Sequence, residues 1–283
     1  MKILTFDIED WFHLLNNPLT ENPSNWDQFE SRIHLNMNTI FEILELTNTK
    51  ATFFCLGWIA EKYPDVIKEI DRRGYEVGSH SYYHQLVYKQ NSDSFEKDLE
   101  RSIGELESLT GKKVKSYRAP SFSINQDSLW AFEILIRHGI KWDSSIFPAK
   151  RAYGGLNSVS RNEPFQMVTR NGLIKEFPMN TYNFMGSNLV FSGGGYFRFT
   201  PYNLVNYLTR SYTMSYFHPR DFDPNQPVIP GLKPIDRYKS YVGLKNSKKK
   251  LMRWLNQHNF IDIERANSLI EWDKSEIIRT NEL

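Results

Sequence analysis

Acidic and imidazole side chains stand close together at the ends of two predicted strands. Asp7, Glu9 and Asp10 follow the first strand, and His80 and His84 follow a later one. Two imidazoles four residues apart on a helical turn lie on one face and could share a metal ion, although such pairs are more often unrelated histidines. A carboxylate from a neighbouring strand end would complete a His₂–carboxylate set, which leaves a coordination position open for water. These residue types therefore predict a catalytic metal site.

The three carboxylates allow more than one arrangement. Side chains alternate across a strand, so Asp7 and Glu9 share a face if the first strand persists that far. One of them would then hold the metal while the other acts as a base. Asp10 replaces Glu9 if the chain turns directly after Asp7. A cation would relieve the repulsion among these acids, whereas the structural alternative is that they cap a following loop or helix.

Short strands alternate with amphipathic helices over the first half of the chain. The predicted strands span 2–6, 51–55, 75–79, 114–118 and 140–144, and the helices between them span 35–46, 59–73, 94–109 and 126–138. This alternation is typical of βαβ units and a parallel sheet. Because the stretch has no glycine-rich phosphate loop, it favours a closed or partly closed barrel over a dinucleotide-binding fold.

The alternation of strands and helices loosens after residue 150, where glycine clusters indicate long loops. The elements predicted there are strands at 173–177, 214–217 and 260–264 and helices at 201–210 and 247–258. No linker separates the two parts of the chain. We therefore expect a single domain over 1–283, in which 1–150 carries the core motifs and 151–283 completes the barrel.

Three further ionisable residues stand at predicted strand ends: Arg118, Asp143 and His218. In parallel α/β folds, functional residues gather at the carboxyl ends of the strands. A barrel gains no stability from stacking acids, imidazoles and an arginine at one edge. The set therefore indicates a functional site, although His218 alone could equally be a core histidine.

Composition excludes several classes of function. Thirty-five Lys and Arg against 33 Asp and Glu give a net charge of +2, which is too small to indicate binding of nucleic acid. Cys55 is the single cysteine, so neither an internal disulfide nor a Cys-based zinc site can form. No stretch reaches the roughly 18 apolar residues of a membrane span, and Asp7 comes too early for a secretory signal. We therefore expect a cytoplasmic protein.

Five short motifs occur in order and cover nearly the whole chain. They are TFDIED, GSHSYYH, RAPSF, WDSSIFP and YFHPRDF, joined by GGGYFR at 193–198 and HPRDFDPNQP at 218–227. The five motifs resemble those of the polysaccharide deacetylases (NodB homology, carbohydrate esterase family 4). The last two stretches resemble the exopolysaccharide-locus subgroup, whose C-terminal part is a domain of unknown function. The resemblance implies a distorted (β/α)7 barrel with inserted loops in its C-terminal half.

The resemblance also implies a role for each motif residue. The general base falls on Asp7 and the general acid on His218. The two metal-binding histidines fall on His80 and His84. Arg118 would be the partner of the base, and Asp143 would be the carboxylate that raises the pKa of the acid. The third metal ligand is ambiguous, because many members have adjacent Asp-Asp where Ile8 intervenes here. Relatives with Asp-x-Asp and the alternation argument favour Glu9 over Asp10.

The implied reaction is metal-dependent removal of an N-acetyl group from an amino sugar. The expected cofactor is a divalent ion, Zn²⁺ before Co²⁺ or Ni²⁺. The expected substrate is a glycan or its lipid- or nucleotide-linked precursor in exopolysaccharide, capsule or O-antigen biosynthesis. Alternatives are a deformylase or cyclic-amide hydrolase on the same scaffold, or a catalytically inactive carbohydrate-binding protein. Peripheral membrane contact through the lysine run at 248–250 stays open.

Overall fold

A nine-stranded sheet organises the chain. The computed structural model describes residues 1–283 except 16, 150–152, 160–161, 185–186 and 210, and it leaves the side chains of 183–188 undescribed. The strands are β1 (Lys2–Ile8), β2 (Thr52–Cys55), β3 (Glu76–Ser79), β4 (Ser116–Tyr117), β5 (Trp142–Asp143), β6 (Phe165–Thr169), β7 (Gly172–Glu176), β8 (Tyr182–Phe184), β9 (Ser187–Leu189), β10 (Thr213–Phe217) and β11 (Ile277–Arg279). Their order in the sheet is β10-β1-β2-β3-β4-β5-β7-β6-β11, and β8 pairs with β9 separately.

The seven strands from β10 to β7 in this order are all parallel to their neighbours. The sheet then changes direction, because β6 runs antiparallel to β7. The two hairpins β6–β7 and β8–β9 both lie in the C-terminal half, where inserted loops are expected. The seven parallel strands confirm the predicted α/β class and the distorted (β/α)7 architecture.

Side-chain hydrogen bonds connect β10 and the residue before it to the loop that follows β7. The Asn180 side-chain oxygen accepts the backbone N–H of Met214 at 2.9 Å. The Tyr212 hydroxyl donates to the Pro178 carbonyl at 2.9 Å. Buried backbone groups need partners, and the first of these contacts supplies one on the edge of β10 that faces away from β1. The barrel is therefore completed on this side by side-chain hydrogen bonds together with a backbone bridge between Gly193 and Tyr216.

Eleven α-helices flank the sheet in the described residues. They are α1 (Pro18–Glu21), α2 (Ile33–Thr47), α3 (Gly57–Lys62), α4 (Pro64–Arg72), α5 (Ser92–Thr110), α6 (Trp130–Arg137), α7 (Gly194–Phe199), α8 (Tyr202–Leu208), α9 (Pro234–Tyr241), α10 (Leu244–Gln257) and α11 (Ile263–Leu269). The helix predicted over 59–73 is divided at Pro64, which takes the first position of α4 because its ring fixes φ and it has no N–H to donate. None of these helices is long and apolar enough to cross a bilayer.

In the second half of the chain, one predicted strand is absent from the described residues and one predicted helix is described except for its last residue. The strand predicted at 260–264 is wrong: Ile261 alone pairs with Ile3 as an isolated bridge. Asp262 caps the next helix by accepting the N–H of Arg265, and this cap favours α11 over continued strand. The helix predicted at 201–210 corresponds to α8, and its last predicted residue, Arg210, lies outside the described residues.

The two faces of β1 pack against different hydrophobic clusters. Leu4, Phe6 and Ile8 belong to the larger cluster, which includes apolar residues of the helices. Ile3 belongs to a second cluster with inward-facing strand residues such as Met214. Because side chains alternate along a strand, Thr5 and Asp7 share the inner face with Ile3. The barrel interior therefore leads directly to the end of β1.

Candidate active site

Asp7 lies at the carboxyl end of β1, where it forms a buried ion pair. Its Oδ1 accepts a hydrogen bond from Arg118 Nη1 at 2.8 Å, and both side chains are almost completely excluded from solvent. The same nitrogen donates to Thr5 Oγ1 at 2.6 Å, as expected for two residues on one face of a strand. The predicted contact between Arg118 and Asp7 is thus present in the structure.

Several further contacts hold the Arg118 guanidinium in place. Its Nε donates to the Ser144 carbonyl at 3.2 Å, and its Nη2 donates to Ser144 Oγ at 2.8 Å. The charged carbon lies 4.4 Å from the centre of the Phe54 ring, a favourable cation–π distance. With this many contacts, Arg118 orients the Asp7 carboxylate rigidly.

His80 and His84 approach each other through a loop, so the helical turn expected for this pair is wrong. Residues 80–84 are not helical, and Ser81 and His84 have φ values of 70° and 54° in the left-handed region. The backbone N–H of His84 donates to Ser81 Oγ at 3.0 Å, which closes the loop. Left-handed backbone is costly for residues with a Cβ. The loop adopts it to bring the two imidazoles together.

The ring of His80 has a defined tautomer. Its Nδ1 lies 2.8 Å from the carbonyl oxygen of Arg118, so Nδ1 carries the proton and donates it. Burial lowers the pKa of His80 to about 4, which keeps the imidazole neutral near pH 7. The lone pair on Nε2 is therefore available for a metal ion, and the carbonyl fixes the ring as is usual for a metal-binding histidine.

Glu9, His80 and His84 form a cluster suited to a metal ion. One ligand atom from each lies within 4.8 Å of the others. Glu9 Oε2 lies 2.9 Å from His84 Nε2 in a buried pair, and this oxygen has no further hydrogen-bond partner among the described residues. A carboxylate oxygen and imidazole nitrogens that face one another without further partners are suited to bind a cation between them. The residues therefore fit the expected divalent ion.

The charge of Glu9 supports the same interpretation. Burial alone would raise the pKa of this carboxyl, but the neighbouring rings of His84 and His218 lower the pKa below its ordinary value. Glu9 is thus ionised, as a metal ligand must be. The alternation argument required β1 to persist to Glu9, but the strand ends at Ile8, and the Glu9 N–H donates to the Asp7 carbonyl at 3.2 Å, so Glu9 reaches the cluster from a turn after the strand.

Asp10 does not join this cluster. Its carboxylate accepts hydrogen bonds from the Trp11 N–H at 2.8 Å, the Ser31 hydroxyl at 2.5 Å and the Arg32 N–H at 3.0 Å. Its own backbone N–H donates to His13 Nδ1 at 2.9 Å. Asp10 therefore fills the capping role that the sequence left open, and it stabilises the loop after β1.

His218 follows β10 and lies opposite the carboxylates. Its Nε2 is 3.9 Å from Asp7 Oδ2 and 3.7 Å from Glu9 Oε1. Its Nδ1 donates to Asp221 Oδ2 at 3.1 Å. Burial tends to lower the pKa of His218, but the carboxylates of Glu9, Asp221 and Asp7 outweigh it and raise the pKa to about 9. The ring is therefore protonated near pH 7.

Asp221, and not Asp143, is the carboxylate bonded to the His218 ring, so that part of the expectation needs correction. Burial tends to raise the pKa of Asp221, but Arg198 and His218 lower it to about 2. The Arg198 Nε lies 3.3 Å from Asp221 Oδ1. Asp221 also accepts the backbone N–H of His218 at 2.9 Å. An acid three residues after a strand-end histidine, in a capping-box spacing, was the signal that could have identified it.

Asp143 supports the arginine side of the site instead. Its carboxylate accepts the Ser145 N–H at 2.7 Å and the Ser145 hydroxyl at 2.8 Å, next to the Ser144 that holds Arg118. Asp143 is aligned with Glu176 on the neighbouring strand. Burial and the adjacent Asp143 carboxyl raise the pKa of Glu176 well above its ordinary value. This shift favours the protonated form of the Glu176 carboxyl in the folded protein, and nothing in the sequence indicated it.

A cavity of about 590 Å³ opens above these groups. Asp7, Glu9, His80, His84 and His218 form its polar part. The volume lies in the range of small-molecule sites, about 300–1,000 Å³. A potential metal site, a fixed carboxylate and a protonated imidazole thus face one space large enough for a substrate.

Comparison with family models divides the chain into two matched segments. Residues 23–139 match the polysaccharide deacetylase family. Residues 144–268 match a domain of unknown function, DUF3473. The predicted resemblance is confirmed for both parts.

Curated relatives match part of the chain only. A peptidoglycan-N-acetylglucosamine deacetylase from Bacillus cereus is 37% identical over 95 residues, which are 33% of this chain and 34% of the relative. A peptidoglycan deacetylase from Helicobacter pylori is 29% identical over 107 residues, which are 38% of this chain and 36% of the relative. The chain thus spans about a third of the length of these relatives.

Solved structures share the fold over nearly the whole chain. A crystal structure from Mycobacterium smegmatis, provisionally described as a polysaccharide deacetylase, superposes with a TM-score of 0.67 at 18% identity and covers 98% of this chain and 91% of the other. A CE4 family pseudoenzyme from Bacillus anthracis gives a TM-score of 0.52 at 16% identity over 94% of this chain and 64% of the other. At these identities the likeness establishes the fold.

Proposed function

Since the chain carries a polysaccharide deacetylase domain over residues 23–139, joined to the DUF3473 domain over residues 144–268, we propose that it is a metal-dependent hydrolase that removes an N-acetyl group from an amino sugar. The observation that carries this proposal is the convergence of a His₂–Glu cluster with Asp7 and His218 on one cavity. The substrate is an amino-sugar glycan or its lipid- or nucleotide-linked precursor, as in exopolysaccharide, capsule or O-antigen biosynthesis.

Glu9, His80 and His84 would hold the divalent ion, with Zn²⁺ as the first choice for two imidazoles and a carboxylate. When bound, such an ion lowers the pKa of water and polarises an amide oxygen. The hydrogen bond from His80 Nδ1 to the Arg118 carbonyl supports this assignment, because it already orients the ring. Asp10 is left out of the ligand set, since its oxygens are used in hydrogen bonds to the loop.

Asp7 acts as the general base. Arg118 bonds Oδ1, so Oδ2, on the His218 side, is the oxygen that accepts the proton of the attacking water. Because the carboxylate is fixed by a buried arginine, little reorganisation is needed when the proton moves. Proton transfer of this kind contributes about 10²–10⁴-fold to a rate.

His218 acts as the general acid. An amine anion is too basic to leave unaided, so the departing sugar nitrogen must receive a proton. Nε2 of His218 carries that proton on the cavity side, while Asp221 accepts the hydrogen bond from Nδ1. A carboxylate held ionised and an imidazole held protonated form a working base–acid pair. Asp143 and Arg118 act as positioning residues.

Metal analysis tests the ligand assignment. Purified wild-type protein, His80→Ala and His84→Ala are compared with His34→Ala, whose ring is exposed and pairs with Asp65 outside the site. We expect about one ion per chain in the wild type and in His34→Ala, and much less in the other two variants. Equal metal content in all four proteins would exclude the assignment.

Acetate release tests the reaction. Metal-loaded protein is incubated with N-acetylated oligosaccharides, and acetate and formate are quantified separately, which distinguishes deacetylation from deformylation. Asp7→Asn should lose activity, while Asp27→Asn, an exposed acid paired with Lys62, should retain it. An active Asp7→Asn protein would refute the base assignment, and binding of glycan without hydrolysis by the wild type would indicate an inactive carbohydrate-binding protein.

We further propose that the two matched segments form a single domain over 1–283. In support, β10 of the second segment pairs with β1 over five residues, and β7 pairs with β5 of the first part. A cytoplasmic location stays a prediction, which fractionation of cells with an antibody against this chain would test.

A further inference from the structure

One wall of the cavity comes from α9, where apolar side chains stand beside the polar Asp236, Lys239 and Ser240. Ile235, Tyr238 and Val242 line the cavity, and their spacing of three and four residues places them on one face of the helix and its end. Phe199, at the end of α7, lines the same cavity. Arg198 connects the two elements by donating to the Ser240 carbonyl at 3.0 Å. The wall is thus part of the fold and is continuous with the polar part of the site.

The side chains of this wall are exposed to an unusual degree. Phe199 is 66% exposed, Ile235 58% and Tyr238 54%, and α9 has no buried residue. Apolar side chains clustered at a cavity that holds polar catalytic groups are typical of a surface that a ligand covers. The exposed area therefore requires an occupant with apolar surface.

The chemistry of the wall distinguishes between two occupants. Further sugar units would need polar partners or aromatic rings for stacking. Phe199 and Tyr238 offer such rings, but the lining beside them is aliphatic at Leu14, Leu15, Leu232, Ile235 and Val242, and these five side chains can neither stack on a sugar nor donate or accept a hydrogen bond. A hydrocarbon chain gains affinity from such a lining, since burial of apolar surface is its main source of binding energy.

We infer that the substrate is a glycolipid, in which the N-acetylated amino sugar reaches the catalytic groups while an apolar chain lies along Phe199 and α9. This inference rests on the proposed function and narrows its substrate class. It selects the lipid-linked form over a free glycan or a nucleotide-linked sugar. Because the wall and His218 line the same cavity, sugar and chain can bind together.

A bound apolar chain should make kcat/KM rise with the length of that chain. Each buried methylene contributes about 0.8 kcal/mol, which is about fourfold in affinity. Extending a methyl glycoside to an octyl glycoside should therefore raise kcat/KM by at least about 100-fold if half of the added groups are covered. Loss of the Ile235 or Phe199 side chain should reduce this advantage about tenfold.

Three glycosides of N-acetylglucosamine test it: the methyl glycoside, the octyl glycoside below its micelle concentration, and a tetrasaccharide. Acetate release is measured for the wild type, Ile235→Ser and Phe199→Ser. Leu269→Ser is the control, because Leu269 is 51% exposed on α11 and does not line the cavity. We expect the octyl glycoside to be preferred by the wild type and the control, and the ratio of kcat/KM for the octyl to that for the methyl glycoside to be about tenfold lower in the two wall variants.

Two results would overturn the inference: equal kcat/KM for the methyl and octyl glycosides, or a preference for the tetrasaccharide that the wall variants share with the wild type. Failure of the proposed function is recognised differently, as absence of acetate from all three compounds. In that case, binding of the same glycosides is measured by calorimetry. If the octyl glycoside binds more tightly than the methyl glycoside, and Ile235→Ser removes this difference, the apolar site is supported even though no hydrolysis is seen. Binding independent of chain length contradicts it.

Discussion

Arg118→Met provides the sharpest test of how the site is held together. The guanidinium is fully buried, and it bonds Asp7 and Thr5 through Nη1 and Ser144 through Nε and Nη2. Methionine fills much of the same volume without a charge or a donor. The substitution therefore leaves the Asp7 carboxylate buried without its cation.

The expected magnitude follows from that unpaired charge. Removal of one partner of a buried ion pair typically destabilises a protein by about 3–5 kcal/mol. In Asp7→Asn/Arg118→Met the remaining side chain is neutral, so the double variant should lose less stability than the sum of the two single variants. The difference, which measures the coupling of the pair, should be about 2–3 kcal/mol.

Urea unfolding, followed by tryptophan fluorescence, measures these free energies of unfolding. Arg72→Met is the control, because Arg72 pairs with Glu69 at an exposed position on α4 and surface pairs contribute little. The acetate assay should show Arg118→Met to be impaired even where it is fully folded. If Arg118→Met unfolds at the same urea concentration as the control, or if the single-variant losses simply add, the buried pair does not organise the site.

Three other outcomes are expected. Glu176→Gln should lose less thermal stability than the wild type as pH rises above about 4.5, because the raised pKa of Glu176 makes wild-type stability fall from the pKa of the unfolded carboxyl up to that raised pKa, whereas Gln does not titrate. Asn180→Ala should lower the free energy of unfolding by about 1–3 kcal/mol, since the Met214 N–H loses its acceptor; the same urea experiment measures it. The hydrolysis rate should fall as pH rises through the pKa of His218, which lies above its ordinary 6.5, and Asp221→Asn should move this limb of the pH–rate profile to lower pH.

Local patterns in the sequence predicted the parallel part of the fold well. The first strand was expected at 2–6 and extends over Lys2–Ile8, because the alternation of inward and outward side chains continues through Asp7. The strand expected at 214–217 differs from β10 by one residue. Both strands are paired and buried, so local propensity and tertiary packing favour the same conformation.

The predictions failed where a residue depends on partners far away in the chain. Asp143 was assigned to His218 by its motif, but its surroundings are set by the pairing of β5 with β7, which brings Glu176 beside it. The helix α9 was missed because it buries nothing and therefore shows no strong core-facing pattern. The loop that joins His80 to His84 was misjudged because two left-handed residues replace the helical turn. None of these features has a periodic signal in the sequence.

Neither matched segment contains all of the proposed catalytic groups. The deacetylase segment supplies His80, His84 and Arg118, whereas His218 comes from the DUF3473 segment and Asp7 from β1, before both. The register between β1 and β10 pairs Phe6 with Phe217, so the residues that follow, Asp7 and His218, emerge side by side. Adjacent strands lie about 4.8 Å apart, which agrees with the 3.9 Å between His218 Nε2 and Asp7 Oδ2.

In the proposed reaction, this pairing lets the second segment place the acid beside the base. A slip of one residue between β1 and β10 would turn His218 to the opposite face of the sheet. The side-chain bond from Thr5 Oγ1 to the Ser215 carbonyl and the bond from Ser215 Oγ to the Ile3 carbonyl oppose that slip, since both would be lost. The distance between the proposed acid and base is therefore set by the strand register below them, and the carboxylate of Asp221 then orients the imidazole within that register.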